Sequence, residues 1–195
     1  GDGVLAAAVK DVTGSVADLK SIYDGTINIV SDNANRVISN FGDENLTVTD
    51  FDVSAADLDD ITKAVGAGTP KTSGNVNVIS SVISGSYADV NANLALFGTA
   101  GNKFTGLGSA DVELSGTVVV GNITTLNDLT TGTITASISA AAALSTFAVL
   151  VPDTERTHKI SLDANDTQID AGALKALNAK TTGTITLSAV TSVTG

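Results

Sequence analysis

The sequence predicts an α/β repeat protein, a strand-helix solenoid with one parallel β-ladder and short helices on the opposite wall. The main observation is a phrase that occurs twice at an offset of 51 residues, because residues 123–135 align without a gap on residues 174–186. Both copies run from a leucine-paced stretch into Thr-Thr-Gly-Thr-Ile-Thr. Periodic self-similarity of this kind is typical of stacked equivalent units that share one continuous core.

The first half of each repeat predicts a short helix. A Ser or Asp that can act as an N-cap precedes apolar residues spaced three apart, as in Ser-Ala-Ala-Asp-Leu at 54–58. Similar stretches begin near residues 15, 123 and 174, and a looser one begins at Ser86. The apolar pairs expected to face the core are Leu19/Ile22, Leu58/Ile61, Ile123/Leu126 and Leu174/Leu177.

The second half of each repeat predicts a strand. A glycine ends the helix or its loop, and Thr or Asn then alternates with Ile or Val, which places one apolar side chain inward at every second position. We expect Ile27, Val76, Ile134 and Ile185 to form one internal ladder. Polar outward positions disfavour a doubly wound sheet, whose central strands are apolar on both faces. A parallel β-helix and a mixed α/β sheet remain the alternatives.

The repeats predict one continuous domain over residues 1–195. Four long repeats are expected at about 12–52, 53–117, 118–166 and 167–195. The sequence begins at Gly1 without a signal peptide, so we expect a segment or a processed form of a larger protein.

Composition excludes several classes of function. The formal net charge is −11, which disfavours binding to nucleic acid because such binding needs Lys and Arg to neutralise phosphate. Cysteine is absent, so neither disulfides nor thiol chemistry is available. The most apolar stretch, 140–151, is too short to span a membrane. Abundant Thr, Ser, Gly, Ala, Asn and Asp without sulfur is typical of secreted bacterial or archaeal surface proteins.

No catalytic motif is found, and the sequence does not predict an enzyme. Residues 66–72 resemble a phosphate loop superficially, but Pro70 removes a backbone N–H where that loop needs one. His158 is the single histidine, and no serine lies in a Gly-x-Ser-x-Gly motif that could use it.

No cofactor is required by the sequence, and calcium is the one that it allows. The segment 163–170 carries three carboxylates and the amide of Asn165 between a predicted strand and a predicted helix, and oxygen ligands suit Ca²⁺. The alternative is that these residues cap the helix. The candidate ligands are Asp163, Asn165, Asp166 and Asp170.

The C-terminal residues 181–195 predict strand without a polar cap behind it. Solenoid ends normally need capping units, because an open end exposes the core and unpaired strand edges. We therefore expect assembly contacts with copies of the same chain or with adjacent repeats. The candidate assembly residues are Thr184, Ile185, Val190 and Val193.

Three phrases carry a resemblance to known proteins: Ser-Ala-Ala-Asp-Leu at 54–58, Lys-Thr-Thr-Gly-Thr-Ile-Thr at 180–186 and Val-Thr-Ser-Val-Thr-Gly at 190–195. They resemble the tandem Thr/Ala/Asp-rich repeats of very large secreted cell-surface proteins of cyanobacteria and other bacteria. The resemblance implies an extracellular or cell-surface location and a structural or adhesive role, and it transfers no site residues.

Two functions follow as expectations. The first is an extracellular structural protein, a subunit or segment of a surface layer, sheath, filament or stalk that assembles through its ends. The alternative is an adhesin-type module that binds an extracellular polysaccharide or a solid surface through an exposed Thr/Asn-rich sheet face.

Overall fold

Strands and helices alternate along the chain. The computed structural model describes residues 10–23, 45–62, 75–97, 104–150 and 158–195. Two 3-10 helices also occur, at Leu107–Ser109 and Leu144–Val149. The other elements are β1 (Asp11–Gly14), α1 (Val16–Tyr23), β2 (Asn45–Val48), β3 (Asp52–Ser54), α2 (Ala55–Thr62), β4 (Val76–Val78), β5 (Val82–Gly85), α3 (Tyr87–Phe97), β6 (Phe104–Thr105), β7 (Asp111–Val118), α4 (Val120–Asn127), β8 (Ile134–Ile138), β9 (Lys159–Asp163), β10 (Gln168–Asp170), α5 (Ala171–Asn178), β11 (Ile185–Thr186) and β12 (Ser192–Thr194).

All strand pairs in the described ranges are parallel, and they form three open sheets. The four-stranded sheet has the order β1-β2-β4-β6, the six-stranded sheet β11-β9-β8-β7-β5-β3, and the third sheet pairs β10 with β12. Strands pair with the equivalent strand of the preceding or following passage and not always with the next strand along the chain, so β2 pairs with β4 and β3 with β5. Examples of the register are Asp11 with Asn45 and Val112 with Ile134. The predicted α/β fold with parallel strands is confirmed, but the strands lie in three sheets and not in one ladder.

We call one passage through the sheets, together with the helix that follows it where there is one, a rung. The described residues contain seven, at 11–23, 45–62, 76–97, 104–127, 134–149, 159–178 and 185–194. Three sheets arise because several rungs hold two strands separated by a corner, as β2 and β3 are. At that corner Ser81 N–H donates to the Phe51 carbonyl oxygen of the previous rung at 2.9 Å. Alternation in the sequence predicts one strand for each helix, so the second strand is a difference from the prediction.

The single ladder of Ile27, Val76, Ile134 and Ile185 is wrong for the residues that the structure describes. Val76 lies in the four-stranded sheet, whereas Ile134 and Ile185 lie in the six-stranded sheet with β9 between their strands. Ile27 lies outside the described residues. The reason is that the offset of 51 residues spans two rungs, so the two copies of the repeated phrase are not neighbours.

Helices α1, α2 and α3 begin after the serine that the sequence predicts as a cap, whereas α4 and α5 begin three residues before the predicted stretches at 123 and 174, and α4 has no side-chain cap. In α1, α2 and α3 a serine before the helix accepts a hydrogen bond from the backbone N–H three residues on, at 3.1, 3.4 and 3.2 Å. Asp170 does the same for α5, accepting from the Ala173 N–H at 2.9 Å. Such caps satisfy backbone donors that have no partner inside the helix. The serine pairs are Ser15/Asp18, Ser54/Asp57 and Ser86/Asp89.

The helices pack in chain order and cover one side of the core. α1 contacts α2, α2 contacts α3, α3 contacts α4, and both α4 and α5 contact the 3-10 helix Leu144–Val149. Leu174 is only partly buried, and the side chain of Ile22 lies outside the described residues. The other predicted core positions are buried: Leu19, Leu58, Ile61, Ile123, Leu126 and Leu177.

Candidate functional site

The repeated Thr-Thr-Gly phrase attaches one rung to the rung before it. At the entry to the seventh rung, Thr181 is 3% exposed, and its Oγ1 accepts from the Ile160 N–H at 2.7 Å and from the Gly183 N–H at 2.9 Å. The same hydroxyl lies 2.8 Å from the Ile160 carbonyl oxygen, to which it donates. One buried hydroxyl therefore satisfies backbone groups on two rungs, which buried polar groups require.

The first copy of the phrase makes the equivalent contacts two rungs earlier. Thr130 is buried, its Oγ1 donates to the Ala110 carbonyl oxygen at 2.7 Å, and it accepts from the Gly132 N–H at 3.0 Å. The sequence similarity of the two copies thus reflects one kind of contact between rungs.

The Thr-Thr-Gly phrase requires its glycine because the backbone of the preceding rung passes too close to leave room for a Cβ. A Cβ at Gly132 would overlap the Ala110 carbonyl group and lie 2.6 Å from the nitrogen of Asp111. A Cβ at Gly183 would overlap the Ile160 carbonyl group and lie 2.7 Å from the nitrogen of Ser161. Real Cβ atoms do not approach backbone so closely, so these positions exclude every other residue type unless the rungs separate.

His158 occupies the entry to the sixth rung, between the two copies. The ring is 5% exposed, and Nδ1 accepts from the Ile134 N–H at 3.0 Å, which fixes the proton on Nε2. Nε2 then donates to Asn127 Oδ1 at 2.9 Å. Both ring nitrogens are therefore bonded to the chain itself, and the neutral imidazole joins β8 to α4.

Lys20 joins the first two helices. Its Nζ lies 2.6 Å from Asp60 Oδ2 and 2.9 Å from Asp57 Oδ1. Hydrogen bonds to Asp60 and then Asp57 raise the pKa of Lys20 well above its ordinary value. Lys20 and Asp57 border a cleft of about 410 Å³ that Asp50 and Asp52 also line. This acidic cleft already contains its own counter-ion.

The predicted calcium ligands make separate contacts with backbone groups. Asp163 Oδ1 accepts from the Ser188 N–H at 3.0 Å, and Asp166 Oδ2 accepts from the Leu144 N–H at 2.6 Å. Asn165 Nδ2 donates to the Ala141 carbonyl oxygen at 3.3 Å, while Asp170 caps α5. Among the described residues no three His, Cys, Asp or Glu side chains form a group that could hold a metal ion. Calcium binding at these residues stays a prediction.

The predicted assembly residues lie in or beside the last rung. Thr184 is exposed, Ile185 and Val190 are half-buried against the core, and Val193 is 55% exposed. β11 pairs with β9 on one side, and β12 pairs with β10 on one side. Their other edges carry no strand among the described residues. Ile185 and Val193 therefore lie in strands with an open edge, Thr184 and Val190 lie outside those strands, and a role of the four residues in assembly stays a prediction.

The sequence analysis missed a recurring contact between rungs made by acidic side chains. Asp50 Oδ2 accepts from the Val16 N–H at 2.7 Å, across 34 residues of sequence. Asp111 Oδ1 accepts from the Thr133 N–H at 2.6 Å. Asp50 lies in the corner between β2 and β3, and Asp111 is the first residue of β7, positions for which the sequence pattern predicts only local caps.

One buried polar residue also escaped notice. Asn93 is fully buried in α3 and donates from Nδ2 to the Ala55 carbonyl oxygen and to Asp59 Oδ1, each at 3.1 Å. These hydrogen bonds join α3 to α2. Asn93 is the seventh residue after the cap Ser86, and the equivalent residue of α2 is Ile61. No periodicity argument predicts an amide at a core position.

No helix in the described ranges has the length and apolar character needed to cross a membrane. The chain matches no protein-family model, and searches of the curated proteins and of the solved structures gave no significant match.

Proposed function

We propose that the chain is a solenoid unit of an extracellular structural assembly, such as a surface layer, sheath, filament or stalk, and that it assembles through its ends. The observation that carries this proposal is the open edge of β11 and β12 in the last rung. Rungs inside the chain are held together by pairing of such edges, so the same chemistry is available between chains.

The solenoid arrangement is supported by the agreement between the order of strand pairing and the order of helix packing. Strands pair in parallel with the strands of the next rung, and helices pack on the helices of the next rung. Paired residues lie between 20 and 34 positions apart, as the pairs Thr117/Ser137 and Asp11/Asn45 illustrate. This agreement supports a repeat array, in which each rung depends mainly on its neighbours.

The backbone at the C-terminal edge is suited to strand addition. The carbonyl oxygens of Thr184 and Thr186 accept from the Leu162 and Ala164 N–H groups, at 2.9 and 2.8 Å. Successive residues of a strand direct their backbone groups to opposite edges, so Ile185 directs its N–H and carbonyl away from β9. Neither strand carries a Lys or Pro, which proteins commonly use to block such edges.

Association of the purified chain tests the proposal. Sedimentation velocity over a range from micromolar to near-millimolar concentration should show growth of mass, and electron microscopy should show filaments or sheets. Because each chain carries a formal net charge of −11, raising ionic strength should promote association by screening repulsion between chains.

A charge-matched pair of double variants separates edge pairing from general charge effects. Thr184→Lys/Val193→Lys adds two cations at the open edge and should remain monomeric with an unchanged circular dichroism spectrum. Val119→Lys/Val149→Lys adds the same charge at valines that are 57% and 56% exposed and lie outside β11 and β12, and it should assemble like the parent. A parent chain that stays monomeric at every concentration would refute self-assembly.

A binding role for the exposed sheet face is the second candidate. One outward row of the four-stranded sheet carries Thr13, Thr47, Asn77 and Thr105 in register. Thr105 Oγ1 donates to Asn77 Oδ1 at 3.1 Å, so the row is ordered by its own contacts. Titration with soluble bacterial polysaccharides, followed by NMR, would support this candidate if the shifts map to the row. Shifts that are absent there would exclude it for the polysaccharides tested.

We propose no catalytic role. His158 is the single histidine, and its two ring nitrogens are bonded to Ile134 and Asn127.

A further inference from the structure

The last rung repeats the backbone geometry of an inner rung that receives a helix. β5 pairs with β3 and ends at Gly85, with φ 146°, and β12 pairs with β10 and is followed by Gly195, with φ 134°. A Cβ at Gly85 would lie 3.3 Å from the Cβ of Ala55, the first residue of α2. A Cβ at Gly195 would lie 3.3 Å from the Cβ of Ala171, the first residue of α5.

At the inner rung, the residue after this glycine starts a helix. Ser86 caps α3, and α3 packs on α2. Under that cover, Ala55 and Leu58 of α2 are both 0% exposed. These two residues are the first and fourth after the cap Ser54.

The same two positions of α5 are not covered. Ala171 and Leu174 are the first and fourth residues after the cap Asp170, and Ala171 is exposed while Leu174 is only partly buried. The fourth position is buried in each of the other described α-helices, by Leu19, Leu58, Val90 and Ile123. The uncovered side of α5 is therefore the side on which another helix packs elsewhere in the chain.

The charge of Lys175 on α5 indicates which kind of helix would fit the uncovered side. Lys20 is the fifth residue after its cap, and it pairs at 2.9 Å with Asp57, the third residue after the cap of the next helix. The fifth position of α2 also faces the next helix, because Asp59 accepts from Asn93 of α3. Lys175 is the fifth residue of α5 and is exposed. A helix with Asp at its third position would thus place a carboxylate at Lys175.

We propose that Gly195 and the uncovered side of α5 form a docking surface for a helix of the type Ser-x-Ala-Asp-Leu, carried by a further unit of this repeat and entering at Gly195. The inference rests on the proposed stacking of units, and it names the element that docks. Two interfaces inside the chain are the models for this docking. The interface between α1 and α2 shows the charge pair, and the interface between α2 and α3, together with Gly85, shows the glycine contact and the burial of apolar residues.

The test extends the full chain after Gly195 with Ser-Val-Ala-Asp-Leu-Lys-Ser-Ile-Tyr, the sequence of residues 15–23. At dilute concentration the extension should become helical by circular dichroism, protect the amides of α5 from hydrogen exchange and raise Tm by about 3–6 °C. The control extension contains the same nine residues in an order that places neither Asp third nor Leu fourth, and it should leave Tm unchanged.

A charge exchange tests the orientation. Lys175→Glu should lower the rise in Tm that the extension produces by about 1–3 °C, a small effect because exposed ion pairs are weak. Exchanging the Asp of the extension for Lys should restore the gain. The unextended Lys175→Glu variant should keep the parent Tm.

Equal Tm values for the two extended chains, with unprotected added residues, would overturn the inference. The measurement is intramolecular, so its outcome is independent of self-association. A stabilised extension on a chain that never assembles would refute the proposed assembly and leave this docking surface intact.

Discussion

Replacing Gly183 by alanine should destabilise the chain by about 2–4 kcal/mol. The new Cβ would overlap the Ile160 carbonyl group and lie 2.7 Å from the nitrogen of Ser161, so two backbone segments must separate. Overpacking of this kind costs about 1–3 kcal/mol. Separation also weakens the hydrogen bond from the Thr182 N–H to the His158 carbonyl oxygen, now 2.9 Å, which is worth about 1 kcal/mol.

The matched control is Gly121→Ala in α4. Apart from its chain neighbours and the backbone of its own helix, no atom lies within 4 Å of a Cβ at Gly121, and helical alanine is favoured over glycine by about 0.5–1 kcal/mol. The same substitution should therefore stabilise the chain at one glycine and destabilise it at the other. Urea unfolding at 25 °C, followed by circular dichroism, measures both changes. A Gly183→Ala variant as stable as the parent would refute the close approach of the sixth and seventh rungs.

Three further changes test other contacts between rungs. Thr181→Val keeps the shape but removes the acceptor of two N–H groups at 2.7 and 2.9 Å, and should cost about 2–4 kcal/mol in urea unfolding, whereas Thr181→Ser should cost less than about 1 kcal/mol. Lys20→Met should lower stability at neutral pH. Because the folded-state pKa of Lys20 is raised above its ordinary 10.5, the difference from the parent should be present below pH 10.5 and disappear as pH rises further, in unfolding curves recorded at increasing pH. Asn93→Asp would bury a carboxylate 3.1 Å from Asp59 and should cost about 3–5 kcal/mol at pH 7, with recovery as pH falls toward about 4, since burial and Asp59 raise the pKa of the new carboxyl.

The helices were predictable from the sequence because their signals are local. A cap and its N–H partner lie three residues apart, as Ser86 and Asp89 do, and the apolar positions that follow are set by the helical period. Strand pairing is not local. The sequence pattern groups Val76 with Ile134, but Val76 pairs with Leu46. The partner of a strand depends on how many residues one rung contains, and that number changes along the chain.

The role of Ile185 and Val193 in assembly stays a prediction. Their place in strands could be predicted because strand alternation is visible in the sequence. The inter-rung acceptors Asp50 and Asp111 could not, since each accepts from an N–H whose position is fixed by packing of a distant segment. The calcium prediction arose from the same ambiguity, because an aspartate that accepts from a backbone N–H and one that binds a cation have similar local sequences.

The acidic character of the chain has a structural origin that bears on assembly. Asp50, Asp111, Asp163 and Asp166 each accept from a backbone N–H of an adjacent rung, so at least part of the negative charge serves stacking. A carboxylate accepting such a bond forms a charge-assisted contact that needs no basic partner. The charge that results also repels other chains, and screening by salt removes that repulsion while leaving the short contacts between adjacent rungs largely intact. Contacts that hold rungs together should therefore persist at ionic strengths where contacts between whole chains would begin to form, so the proposed end-to-end assembly should depend on external salt.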